Sequence, residues 1–328
     1  MAIDRIEVTP EYSFVIPVLD EIDSLDLLFD RLGSVMNQLD GAAEAILIDD
    51  GSSDGSYELM LELHRRDPRF VALRLSRNFG HQIAITAGLD HARGQAVIIM
   101  DADLQDPPEV ALELARRWRE GYEVVYAVRD ARAGESRGKL MTARWFYRIM
   151  NRLGDVPIPP DAGDFRLVDR RALDGVIAMR EHRRYLRGMF AWIGYDQTAV
   201  HYEREARRAG RTKFSGRRMI GFAADGVVSF SAAPLRAVLS GGFVVSVLSV
   251  LSGVTAVILK LTGVYTVPGW ASIVVGIALL GGIQLTVLGV IGEYVARIHE
   301  EVKRRPLYFV RDSVGIASAD GRDPHPNS

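Results

Sequence analysis

Along the first 130 positions, short unbroken apolar runs alternate with stretches whose apolar residues recur at helical spacing. Runs at 12–19, 45–48, 70–75, 96–100 and 123–128 predict strands, and Val97-Ile98-Ile99-Met100 reads as one with no polar face. Between them, 24–39 places Leu25, Leu28, Leu32 and Val35 on one helical face, and 55–66, 81–93 and 108–120 predict three further helices. Strands alternating with helices at this pace predict a parallel, doubly wound α/β sheet. Polar, glycine-rich stretches recur after Ile48, Leu75 and Met100, each at a strand's carboxyl end. In open α/β sheets that edge binds ligands.

The pattern then changes. Over 137–152, Lys139, Arg144, Arg148 and Arg152 alternate with Trp145, Phe146, Tyr147 and Met150, which suits a helix lying in a membrane interface or an ordinary amphipathic surface helix. Residues 213–234 have similar character. Two runs, 237–259 and 261–292, contain no charged side chain and are separated only by Lys260. Each exceeds the roughly 20 residues that a bilayer crossing needs. They predict two transmembrane helices, about 235–260 and 268–295, turning near Pro268 and Gly269. Arg217, Arg218 and Arg236 flank one side of the pair and Arg297, Lys303, Arg304 and Arg305 the other, which predicts a cytoplasmic large domain. The expected organisation is a soluble domain over 1–212, an interfacial segment over 213–234, the membrane hairpin over 235–296 and a cytoplasmic tail over 297–328.

Composition narrows the chemistry. The net charge of −2 offers no basic field for nucleic acid, and the absence of cysteine excludes disulfides and thiolate metal sites. The first residues carry no apolar core of a signal peptide, so none is expected. The hexapeptide Asp101-Ala102-Asp103-Leu104-Gln105-Asp106 follows the apolar run ending at Met100 and precedes Pro107-Pro108. Carboxylates at i and i+2 with an amide two residues on suit a hard divalent cation, Mg2+ or Mn2+. An acidic turn capping the next helix is the other reading, and Asp106 is the residue placed to cap.

Six stretches in order carry a family resemblance: Val15-Ile-Pro-Val18 with Glu21, Asp49-Asp-Gly-Ser-Ser-Asp54, Arg77-Asn-Phe-Gly80, Asp101-Ala-Asp-Leu-Gln105, Gly163-Asp-Phe-Arg-Leu167 and Arg207-x-x-Gly-x-Thr-Lys-Phe214. Over about 12–305 the chain resembles the polyprenyl-phosphate glycosyltransferases of glycosyltransferase family 2, including dolichyl-phosphate mannose synthases and bactoprenol glucosyltransferases. The resemblance implies a GT-A domain followed by interfacial helices and a two-helix membrane hairpin. It implies a nucleotide-sugar site at Pro17, Glu21, Asp50, Asp101 and Ala102, with Asp50 accepting from a uracil imide or closing a turn with Gly51. It implies a metal site at Asp101, Asp103 and Gln105, phosphate binding by Arg129, Arg207 and Lys213, and catalytic roles for Asp103 and Asp164. The implied donor is UDP-glucose or a UDP-N-acetylhexosamine, with GDP-mannose as the alternative, and the acceptor is a membrane polyprenyl phosphate. A homo-oligomer, a tetramer in bacterial members, belongs to the same expectation. Leu19 and Asp20 depart from the Tyr-Asn often found before Glu21, and His81 stands where lysine is also common.

Overall fold

A computed structural model of the chain describes residues 9–129, 162–202, 233–262 and 269–316. They belong to two compact units, one containing 9–129, 162–202 and 306–316, the other 233–262 and 269–305. The expected interfacial segments, together with Arg207 and Lys213, lie outside the described residues.

In the first unit, β1 (Tyr12–Val18), α1 (Ile22–Gln38), β2 (Ala43–Asp49), α2 (Ser56–Arg66), β3 (Phe70–Leu75), α3 (His81–His91), β4 (Ala96–Ile99), α4 (Val110–Arg119) and β5 (Val124–Arg129) alternate as the pattern predicts. Every residue of β1, β2 and β4 is buried, because helices cover both faces of this sheet. Helix α1 buries Leu25, Leu28, Leu32, Val35 and Met36, one stripe at 3–4 residue spacing. There follow β6 (Ala162–Asp169), α5 (Arg170–Ala178), α6 (Leu186–Trp192), β7 (Gln197–Tyr202) and, at the far end of the unit's chain, β8 (Val310–Val314).

The sheet order is β7-β5-β6-β4-β1-β2-β3-β8. The expectation of a parallel sheet holds for β4-β1-β2-β3 and fails at both sides of it. Strand β6 runs antiparallel to β4 and β5, and β8 runs antiparallel to β3. The sheet is therefore mixed. Strand reversal has a consequence for the site, since the amino end of β6 lies at the carboxyl edge of β4. Helix α3 approaches the same edge closely: a Cβ on Gly88 would collide with the side chains of Val15 and Ile48. Glycine there lets the helix lie against the sheet and sets the position of its first residue, His81.

The second unit holds two long helices, α7 (Ala233–Leu261) and α8 (Trp270–Val302). Among the described residues, Leu279–Val302 is long and apolar enough to cross a membrane, whereas Ser240–Thr255 is a shorter apolar stretch. Phe243, Ile277 and Leu285 each leave about 70% of their surface uncovered by protein. So large an exposed apolar face is unusual on a water-soluble surface.

Candidate active site

The site grows from four strand ends. At the end of β2, Asp49 is fully buried and its Oδ1 accepts the Ser52 amide at 2.8 Å, closing a tight turn. That turn was expected of Asp50. Instead the Asp50 carboxylate accepts the backbone amides of Phe79 at 2.7 Å and Gly80 at 2.9 Å. It thereby ties the loop after β3 to the loop after β2. Burial pushes the Asp50 carboxyl up, and the two amides pull against it. Gly51, at φ +83°, lies so close to this loop that a Cβ would sit 2.8 Å from the Asn78 nitrogen.

At the end of β1, Pro17 is buried and pairs in register with Ile48. The last β1–β4 pair is Val15 with Ile99, so a residue without an amide hydrogen falls where β4 has already ended. Glu21 begins α1, and its amide is bonded to the Ser56 hydroxyl at 3.1 Å. Asp20 Oδ1 accepts the Ser53 amide at 2.9 Å, so the loops after β1 and β2 are laced together.

At the end of β4 the hexapeptide turns sharply. Ala102 is buried, and Leu104 holds a left-handed φ of +55°. Gln105 is buried, with its backbone amide 3.1 Å from Asp103 Oδ1 and its side-chain amide donating to Asp103 Oδ2. The expected ligand Gln105 therefore holds the neighbouring carboxylate. Helix α4 has Glu109 and not Asp106 at its N-cap, without a side-chain cap bond, and Asp106 is 2% exposed. Its carboxylate accepts instead from Arg129 Nη2 at 2.9 Å and from the Tyr202 hydroxyl at 2.5 Å. Arg129, expected at a phosphate, is thus ion-paired within the fold.

Strand β6 supplies the fourth end. Its antiparallel register pairs Ile99 with Arg166, which brings Asp164 level with the residues just past β4. His81 Nε2 lies 3.5 Å from Asp101 Oδ1 and 3.4 Å from Asp164 Oδ2, bridging the two carboxylates. On its other side Asp164 Oδ1 accepts from Arg187 Nε at 2.8 Å, from the first turn of α6. Behind the pair, Arg166 is buried over the Phe190 ring, and its Nη2 donates to the Gly163 carbonyl at 2.8 Å.

Electrostatics separate the two carboxylates. Burial raises Asp101, and the nearby Asp164, Asp103 and Asp106 charges add to this against His81, leaving it at about 6. Burial would raise Asp164 too, but the His81 hydrogen bond and the Arg187 guanidinium outweigh it and hold the carboxyl well below the usual range. His81 is pushed up, because its hydrogen bond to Asp164 and the Asp101 charge exceed the effect of burial. Arg166 falls to about 10 by burial and stays cationic at neutral pH.

A divalent cation fits this donor set in one particular way. Among the described residues no three His, Asp or Glu side chains form a ready cage. Asp101 and Asp103 lie on one turn, and the Asp101 carboxyl, raised first by burial and further by the Asp164, Asp103 and Asp106 charges, is one whose anionic form a cation would favour. Mg2+ and Mn2+ in phosphate sites typically take one or two carboxylates, with substrate oxygens and water completing the shell.

Asp101, Asp103, Gln105 and Asp164 therefore come together, with Pro17, Glu21 and Asp50 at adjoining strand ends of the same edge. Arg187 and Tyr202 carried no sequence signal, and His81 drew notice only as standing where lysine is also common.

This is a GT-A-like α/β fold with a mixed sheet. The family model described as glycosyl transferase family 2 matches residues 13–177, and the chain belongs to that family and is a glycosyltransferase. An uncharacterized glycosyltransferase of Bacillus subtilis is 45% identical over 306 residues, covering 93% of this chain and 95% of the relative. A prophage-derived bactoprenol glucosyl transferase of Shigella flexneri is 38% identical, covering 92% of this chain and 97% of the relative. Among solved structures, glucosyl-3-phosphoglycerate synthase from Mycobacterium tuberculosis aligns with a TM-score of 0.41 at 18% identity, covering 67% of this chain and 78% of that one.

Proposed function

We propose that this glycosyltransferase moves a sugar, glucose or an N-acetylhexosamine, from a UDP donor to the phosphate of a membrane polyprenyl phosphate, with inversion and with a divalent cation. The observation that carries the reading is the convergence of Asp101 and Asp164 on His81 at the carboxyl edge of the sheet. The acceptor class is supported by the 38% identical relative named as a bactoprenol glucosyl transferase.

In this reading Pro17, Glu21 and Asp50 receive the nucleoside, while Asp101, Asp103 and the Gln105-held turn face the donor's diphosphate. When bound, Mg2+ or Mn2+ neutralises charge on the departing nucleoside diphosphate. One oxygen of the acceptor phosphate attacks the anomeric carbon as the bond to the diphosphate breaks. The acceptor has a second pKa near 6 and is largely dianionic at pH 7, so no group need remove a proton from it. Asp164 accordingly stays anionic and holds His81 and Arg187 in place. Arg207 and Lys213 add cationic charge for phosphate.

The paired apolar runs anchor the enzyme as a two-helix hairpin with the catalytic unit in the cytoplasm, which keeps the site near a lipid phosphate. Release of UDP from UDP-sugars by the protein in lipid tests the donor, the acceptor and the cation requirement. Release that requires both Mn2+ or Mg2+ and a polyprenyl phosphate is the expected result. UDP release without the lipid phosphate, or turnover of GDP-mannose alone with release of GDP, would overturn it.

A further inference from the structure

Asp106 bonds to the last residues of two strands that lie across β6 from its own. Arg129 ends β5 and Tyr202 ends β7, and these two residues are register partners in the parallel β5–β7 pair. Arg129 Nε also donates to the Tyr202 hydroxyl at 3.0 Å, so the three side chains close a ring of hydrogen bonds. Asp106 is 2% exposed and Tyr202 7% exposed, which makes each bond costly to lose. The Tyr202 ring meets Phe165 edge-on at 6.1 Å, and Phe165 follows Asp164 directly. Between this ring and Asp101 the chain adopts the left-handed turn at Leu104, a conformation a leucine keeps only where its surroundings enforce it.

We infer that Asp106, Arg129 and Tyr202 form a positioning clamp that fixes the Asp101–Gln105 turn across the sheet edge and holds Asp101 and Asp103 in cation-binding pose. The inference rests on the cation-dependent reading above. In this assignment the three residues act on the cation site through the turn, by their bonds to one another. Asp106 anchors the far end of the turn, Arg129 balances its charge, and the Tyr202 hydroxyl fixes the carboxylate's orientation. Gln105 performs the same service at short range for Asp103.

The test uses the full-length protein in lipid nanodiscs. Mn2+ affinity is read by electron paramagnetic resonance with UDP present, and hydrogen exchange at the 101–106 amides is read without metal. Tyr202→Phe keeps the ring and loses the hydroxyl; it is expected to weaken Mn2+ binding about 3- to 10-fold, with the melting temperature lowered by about 2–8 °C. Asp106→Asn is expected to weaken it by about 10-fold or more, the usual range for a group that orients a metal ligand. Both should speed exchange at Gln105, and Arg129→Lys should restore part of the affinity lost in Arg129→Met. Mn2+ affinity within twofold of wild type, together with unchanged exchange at Gln105 in both variants, overturns the clamp. Absence of Mn2+ binding by the wild type overturns the proposed function instead, and the exchange measurement still decides the clamp.

Discussion

Arg187 Nε lies 2.8 Å from Asp164 Oδ1, and this ion pair fixes what Asp164 can do. A carboxylate held far below its usual pKa is a weak proton acceptor, because basicity falls with pKa. Its value to the site is a permanent negative charge that orients His81 from one side and Arg187 from the other.

Asp164→Asn should therefore slow turnover at every pH. A loss of about 10- to 100-fold is expected, with no recovery of the rate towards pH 9. Recovery of the variant's rate at high pH would assign Asp164 the role of general base.

Asp101→Asn should stabilise the metal-free protein while removing activity. The Asp101 carboxyl sits at about 6 when folded, above its ordinary value near 4. The folded state thus opposes the charged form, a penalty complete above pH 6 and relieved as pH falls towards 4. With a third of the side chain open to solvent, the gain at pH 7.5 should be about 1 kcal/mol and should fade by pH 4.5. Thermal melts in chelator at both pH values read this directly. With Mn2+ and UDP added, the order should reverse, because the wild type alone gains the binding energy.

His81→Gln should cost stability chiefly in acid. The folded imidazole has a raised pKa, so its contribution is complete below the unfolded value near 6.5 and is lost as pH rises through the folded one. The melting-temperature difference from wild type should be largest near pH 5.5 and shrink towards pH 9. A difference independent of pH would mean that the ring acts by packing and not by charge.

Gly51→Ala should disrupt the join between the loops after β2 and β3. Alanine is strained at φ +83°, and its Cβ would press on the Asn78 backbone. A loss of about 2–4 kcal/mol is expected in denaturant melts. UDP affinity should fall with it, since the Asp50 bonds to Phe79 and Gly80 cross the same join.

The amino-acid order alone determined the β1–α1 to β5 alternation, the buried stripe of α1, and the position of Asp50 and Asp101 just past strand ends. These are local matters, set by side-chain period and by where an apolar run stops. The long uncharged runs that became α7 and α8 were equally plain, since each was legible from its own residues. Tertiary structure alone decided the direction of β6, and with it the meeting of Asp164 and Asp101. It also decided the partners of Asp106, which the order of residues presented as a helix cap. Asp106 and Tyr202 are 96 positions apart, and Asp164 and Arg187 are 23. Pairings at such distances depend on which strand lies beside which and in which sense, and no local period records that. A carboxylate shows in the sequence as a charge, but the group that answers it is chosen by the fold.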